Sequence, residues 1–351
     1  RRLRRQWSKP SFATPEQLAV VMDYDAQLDL GLSLLDTDAG DNGYGEGLAV
    51  AGEEGWLFLR SELRHLGAGQ FWGDAAQTAS QANRADRRDP LPAITAYARD
   101  LAQAGVQLVV VPVPAKAAVY ADLLPGAAVA PGDGRVDSHH VALYGELRDA
   151  GVEVVDLMPL FLQERAGGTQ MYLRTDSHWT PAAAQLAASH VAQRIRDLRP
   201  ETQATELAGR VAESRLPVTG DLWEAAGTAV ETDLVALFTP HFDGVPIGAA
   251  GEDQQSPVMV IADSHGLVFH SGGDMFADGA GFSDHLAQQL GQGVALTAVR
   301  GSAATPARVA FYRSVRQSPG LLATTKVVVW LFAARELTET SGWAIVPVRP
   351  S

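Results

Sequence analysis

The sequence predicts an α/β fold, an α/β/α sandwich built on a mostly parallel sheet. Aliphatic runs carry this expectation: Val106 to Val113, Val152 to Leu157, Val258 to Ala262, Val294 to Val299 and Val327 to Phe332 read as strands buried on both faces. Stretches of helical periodicity separate them, which is the alternation a parallel sheet requires. The composition, 46% hydrophobic and 20% charged over 351 residues, is that of a folded chain and excludes wholesale disorder. Such a length suits one large domain or two small ones.

In chain order, Pro15 to Leu35 has apolar residues at helical spacing, and Asp36 to Gly47 is a Gly/Asp-rich loop. Gly55-Trp56-Leu57-Phe58-Leu59 reads as a short strand, and Gln70 to Pro90 as polar, irregular chain. Pro92 to Ala104 is helical and stops at Gly105, a C-cap residue. Asp137 is placed to cap a helix carrying Val141, Tyr144 and Leu147, which ends at Gly151. Thr180-Pro181 opens another helix, with Thr as N-cap and Pro in first position, and Ala187, Val191, Ile195 and Leu198 on one face. Gly, Pro and acids dominate residues 215–256, which read as an insertion or long connection. A helical stretch from Pro306 to Val315 separates the last two strands. The expected organisation is an N-terminal extension, 1–50, and one domain, 51–345, with the insertion near 215–256.

Lys plus Arg number 28 against 41 Asp plus Glu, a net charge of −13. Nucleic-acid binding needs clustered cations, so no nucleic-acid partner is expected. With no cysteine, disulfides, thiolate metal sites and cysteine nucleophiles are excluded, and both cytosol and periplasm stay open. No apolar run approaches the ~20 residues that span a membrane. The chain opens Arg1-Arg2-Leu3-Arg4-Arg5 without Met, which suits either a charged tail or the flank of a removed signal or anchor.

Ligands of open α/β sheets bind beyond the carboxyl ends of strands. Ser264 follows the Val258 strand there, on a tight turn with Gly266 allowing close backbone approach. A serine hydroxyl needs a general base to become a nucleophile. His178 can supply it, and Asp176, two residues earlier in Asp176-Ser177-His178, can fix its tautomer. Each residue alone has a bland reading, a turn serine or a satisfied histidine; the two clusters on one sheet edge favour catalysis. Lys116, Arg300 and Arg335 end strands on that edge, where a substrate or oxyanion would be met, or are solvated cations. Trp179, Trp56, Trp72 and Trp223 could stack on sugars, although tryptophans mostly serve packing. A His and carboxylate metal site drawn from Asp176, His178, Asp263, His265, His270 and the His139-His140 pair is conceivable. No HExxH or regular His spacing supports it, so no metal is expected.

Leu173-Arg174-Thr175-Asp176-Ser177-His178-Trp179-Thr180 resembles the D-x-H-W-T segment of the periplasmic alginate O-acetyltransferase family. Val260-Ile261-Ala262-Asp263-Ser264-His265-Gly266 resembles its nucleophile segment, itself similar to the G-D-S block of SGNH hydrolases. Glu54 to Leu59, Val111 to Lys116 and Val329-Trp330 leading to Arg335 add matches in the family's order, over roughly residues 50 to 340. The resemblance implies an SGNH-hydrolase-like catalytic domain of the single-domain branch, because the chain ends soon after its last strand. It puts the nucleophile on Ser264, the base on His178 and the orienting acid on Asp176. Ala262 replaces the usual Gly, a mild departure. The only asparagines, Asn42 and Asn83, lie in the early loops, so oxyanion donors are expected to be backbone amides, aided by Arg300 or Ser302.

What the resemblance implies is transfer of an acetyl group through an acetyl-serine to exopolysaccharide hydroxyls, without metal or bound cofactor. It further implies a membrane-associated acetyl donor and a periplasmic location, with tethering through a removed N-terminal segment. An acetylesterase with the same triad, or a non-catalytic polysaccharide-binding subunit of an export complex, are the alternatives.

Overall fold

The computed structural model describes residues 48–349 apart from 128, 130–133, 203–209, 228–230, 243–244, 247–255 and 319. The helix and loop expected before residue 48, and the basic cluster, lie outside the described residues. A short antiparallel pair, β1 (Ala49–Ala51) and β2 (Leu57–Leu59), leads into helix α1 (Arg60–Leu66). Helix α2 (Pro90–Gln103) begins where Asp89 accepts the Leu91 amide, two residues before the expected start. Next come strand β3 (Gln107–Val113), helix α3 (Ser138–Asp149), strand β4 (Glu153–Val154), and helices α4 (Met158–Ala166) and α5 (Pro181–Leu198).

The central sheet is parallel throughout, in the order β4-β3-β10-β8-β9, with β8 at Val258–Ala262, β9 at Ala295–Ala298 and β10 at Val327–Ala333. Alternate side chains of its strands enter two separate cores. Val109, Val111, Val260 and Val329 join the core under α5 and helix α6 (Phe282–Leu290); Leu108, Val110, Ile261 and Trp330 join the one under α2, α3 and helix α7 (Arg308–Gln317). Helices therefore cover both faces, the expected α/β/α sandwich. Burial on both faces is why these strands read as unbroken aliphatic runs.

Two expectations are corrected. Asp137 sits at the N-cap of α3, but its carboxylate pairs with Arg135 at 2.7 Å and makes no bond to the helix amides. The segment read as an insertion or long connection rather than core contains a long hairpin, β5 (Arg210–Thr219) against β6 (Thr232–Phe242), extended by β7 (Val245–Pro246), and sends Val218, Val235 and Leu237 into the core. Pro217 and Pro240 and exposed Leu234 disguised its two-residue alternation, of which Val218, Val235 and Leu237 are the buried phase.

Candidate active site

Strand β8 runs fully buried into Asp263, whose carboxylate accepts the His265 amide at 2.8 Å and the Ala333 amide of β10 at 2.7 Å. This ties the turn to the neighbouring strand and starts a one-turn 3₁₀ helix, Ser264–Gly266. A Cβ on Gly266 would lie 2.4 Å from that of Ala262, so only glycine lets the turn sit this low on the strand.

Asp176 and His178 come from the chain between α4 and α5. Residues 171–180 fold back on themselves: Tyr172 bridges Trp179, and the Thr180 amide donates to the Met171 carbonyl at 2.9 Å. Thr180 also caps α5 through the Ala183 amide, so the return limb of this loop is anchored to a helix. The tip carries Asp-x-His. Asp176 Oδ1 accepts from the His178 amide at 2.8 Å and lies 2.7 Å from Nδ1. His178 Nε2 lies 2.9 Å from Ser264 Oγ. Asp176, His178 and Ser264 thus form one hydrogen-bonded chain, with His178 and Ser264 86 residues apart in sequence. With Nδ1–H held by the carboxylate, Nε2 presents its lone pair to the serine hydroxyl.

Electrostatics suit a base. Burial alone would lower the His178 pKa, but the hydrogen bond and charge of Asp176, with the charge of Asp221, outweigh it and raise the pKa. Burial works against ionised Asp176, yet its bonds to His178 and to the Asp221 amide hold its pKa below the usual carboxylate range. His265, buried with Nδ1 3.2 Å from Asp263, is pushed toward the neutral form mainly by burial.

Lys116 stands elsewhere than expected. It is fully buried, and Nζ donates to the carbonyls of Leu57, Arg174 and Asp176 at 2.6, 2.8 and 3.0 Å. The ammonium is a peg under the Asp-x-His loop, not a substrate contact; burial brings its pKa down to about 8. Trp179 is likewise buried, stacked on Phe282 and edge-on to His265, so no sugar can reach its face. Ser302 gives its hydroxyl to Glu336 at 2.6 Å, and Glu336 also accepts the Ala303 and Ala304 amides at the start of the helical stretch that leads into α7. Arg300 is exposed and doubly paired with Asp274. Arg335, by contrast, lies near the site: its half-buried guanidinium pairs with Glu62 at 3.4 Å, and its charge acts on His178 and Asp263.

The sequence reading missed Asp221. Its amide donates to Asp176 Oδ2 at 2.9 Å, and its carboxylate accepts both the amide and the hydroxyl of Ser177, at 2.8 and 2.7 Å. The preceding Gly220 packs so closely that a Cβ there would lie 2.0 Å from the Thr175 carbonyl oxygen. Its only sequence signal is a Gly-Asp pair inside the segment taken for an insertion. Donor atoms of Asp176, His178 and Asp221 lie within 4.8 Å of one another, a spacing open to a cation. Of these, Asp176 Oδ1 and His178 Nδ1 already serve each other and Nε2 serves Ser264. His139 and His140 stand apart, with His140 against His65 at 2.7 Å.

No helix among the described residues is long and apolar enough to cross a membrane. Residues 49–334 match the family described as SGNH hydrolase-like domain, acetyltransferase AlgX. The probable alginate O-acetylase AlgJ of Azotobacter vinelandii is 35% identical over 161 residues, 44% of this chain and 36% of that protein. The protein of the same name from Pseudomonas putida is 31% identical over 243 residues, 63% of this chain and 55% of that one. The chain thus spans only about a third to a half of these curated relatives. Among solved structures, the O-acetyltransferase domain of Pseudomonas putida AlgJ superposes with a TM-score of 0.60 at 26% identity, covering 83% of this chain and 92% of that one. Pseudomonas aeruginosa AlgX shares the fold, with a TM-score of 0.58 at 20% identity over 84% of this chain and 67% of that one. With the match running from the first strand to the end of the central sheet, the chain belongs to the AlgX acetyltransferase family of SGNH hydrolase-like domains.

Proposed function

We propose that this chain is a serine-dependent O-acetyltransferase acting on hydroxyls of a bacterial exopolysaccharide. The observation that carries the reading is the unbroken chain from Asp176 through His178 to Ser264. Ser264 Oγ attacks the acetyl carbonyl carbon of a donor ester while His178 Nε2 takes the hydroxyl proton. The donor's leaving oxygen departs with that proton, and an acetyl-serine remains. A sugar hydroxyl then attacks the acetyl carbon and gives its proton to Nε2. Ser264 Oγ leaves, recovers the proton, and the sugar carries the acetyl group. Asp176 stabilises the imidazolium in both halves. The Ser264 amide, at the first position of its turn where no intrahelical acceptor exists, is the natural oxyanion donor, with the Arg335 charge behind it.

The names of the relatives, O-acetylases and an O-acetyltransferase domain, support this chemistry. The reading brings with it a polysaccharide acceptor, a membrane-associated acetyl donor and a periplasmic location. Its test is incubation with a chromogenic acetyl ester and oligosaccharide acceptors. Acetylated oligosaccharide is the expected product. Release of acetate from an acetylated polymer, with no acceptor acetylated, would make the protein an esterase instead.

A further inference from the structure

His265 follows Ser264 directly, is 1% exposed, and has no role in the proton transfers proposed above. Asp263 holds it from behind. Asp263 Oδ1 accepts the His265 amide at 2.8 Å and lies 3.2 Å from His265 Nδ1, while Oδ2 accepts the Ala333 amide of β10 at 2.7 Å. The two neighbours of Ser264 in sequence are thus locked to each other and to the adjacent strand.

In front, the His265 ring meets two consecutive side chains of the Asp-x-His loop. The His178 ring lies 5.1 Å away, tilted by 56°, and the Trp179 ring 5.4 Å away at 90°. Trp179 is fixed in turn by stacking on Phe282 of α6. The second side-chain torsion of a histidine is broad and soft, so hydrogen bonds at the two ring nitrogens do not by themselves fix the plane of His178. A wall beside the ring does. That wall belongs to the same rigid piece as the nucleophile, so one unit sets the 2.9 Å separation of His178 Nε2 and Ser264 Oγ. Burial and the charges of His178 and Arg335 keep His265 toward the neutral form against the pull of Asp263. A neutral ring can stand beside the imidazolium that His178 becomes, whereas a charged one would repel it. We propose that His265 is a positioning residue, whose ring, pinned by Asp263, holds the ring of His178 in line with Ser264 Oγ. The inference rests on His178 being the base of the reaction proposed above.

Two variants test it. His265→Ala removes the wall; His265→Phe keeps a planar ring without the nitrogens, and Asp263 retains both of its backbone amides. Should the alanine protein not fold, His265→Leu takes its place, filling the volume without a planar face. The first readout is turnover of a chromogenic acetyl ester at a pH where both histidines are neutral. His265→Ala is expected to lose at least about tenfold in kcat with KM within about twofold, because a misplaced base costs rate rather than binding. His265→Phe is expected to recover to within about threefold of the parent, the remainder being the lost pin to Asp263. The second readout is the proton NMR signal of His178 Nδ1–H, identified by its absence from His178→Gln. It is expected to be sharp and downfield in the parent and in His265→Phe, and broadened or lost in His265→Ala. An unchanged kcat in His265→Ala, or a loss confined to KM, overturns the inference. So does a His265→Phe protein as slow as His265→Ala, since the nitrogens and not the wall would then matter. If the parent turns over no acetyl ester, the transferase reading falls, and the NMR comparison still decides the inference: a signal equally sharp in the parent and His265→Ala overturns it.

Discussion

The backbone amide of Asp221 donates to Asp176 Oδ2 at 2.9 Å, while Lys116 Nζ holds the Asp176 carbonyl at 3.0 Å from below. Asp176, the proposed orienting acid, is therefore fixed by groups 45 residues after it and 60 residues before it. Such multiple anchoring keeps a polar loop in one geometry.

Lys116→Met tests the peg. It relieves a buried ammonium but takes a donor from three carbonyls, of which that of Arg174 keeps the Leu57 amide, and each buried group left unsatisfied costs about 1–3 kcal/mol. A net loss of about 2–4 kcal/mol in unfolding free energy is expected by denaturant titration, with kcat falling more than KM rises because Asp176 loses its support. Unchanged kcat in a folded variant would show that the loop holds without Lys116.

The pH dependence follows from His178. In the proposed mechanism His178 must be neutral to take a proton, so the rate is expected to rise with pH through a pKa above the ordinary ~6.5. Removing the Asp221 charge with Asp221→Asn takes away one cause of that elevation and moves the rising limb to lower pH. Asp176→Asn removes the larger cause, and should also cost roughly 10⁴-fold in rate by analogy with other triads. The same elevated pKa makes the His178 interaction stabilising below pH ~6.5, and this contribution fades as pH rises through the folded-state value.

Gly266→Ala addresses the nucleophile turn. A methyl group 2.4 Å from the Ala262 Cβ cannot be accommodated without moving the turn away from β8. Loss of at least tenfold in kcat/KM, with the sheet preserved by circular dichroism, is the expected result. Gly220→Ala should act alike from the other side, since its Cβ would meet the Thr175 carbonyl.

Trp179→Ala and Arg300→Ala separate packing from recognition. Trp179 is wholly buried against Phe282 and His265, so its loss should cost about 3–5 kcal/mol of stability. Arg300 is exposed and paired with exposed Asp274, and its removal should leave stability and acetyl transfer within twofold of the parent. A selective loss of transfer in Arg300→Ala would place that residue in acceptor binding after all.

The sheet was legible because its middle strands β3, β10 and β8 are buried on both faces and so spell aliphatic runs; at the edges β9 is only partly buried, and at β4 the run Val152 to Leu157 outlasts the pairing at Glu153–Val154. The Thr180-Pro181 helix start was legible because its cap chemistry is local. So was the pairing of Asp-x-His with the post-strand serine, since loop and turn both sit at the sheet's carboxyl edge. What escaped was non-local. Lys116 reads as a strand-end cation, and only the fold shows that three carbonyls from two other segments converge on it. Trp179 reads as a neighbour of the base, but alternation in the extended loop turns it inward when His178 turns outward. Asp221 acts chiefly through its backbone amide and through Ser177, roles that no side-chain pattern announces.

The central claim is that Ser264 carries the acetyl group. Intact-protein mass spectrometry of enzyme quenched during turnover of a chromogenic acetyl ester, followed by peptide mapping, tests it most directly. The account predicts a mass increase of one acetyl group located on Ser264, absent from Ser264→Ala, and discharged when an oligosaccharide acceptor is added. Turnover with no covalent adduct, or an adduct on another residue that persists in Ser264→Ala, would contradict it.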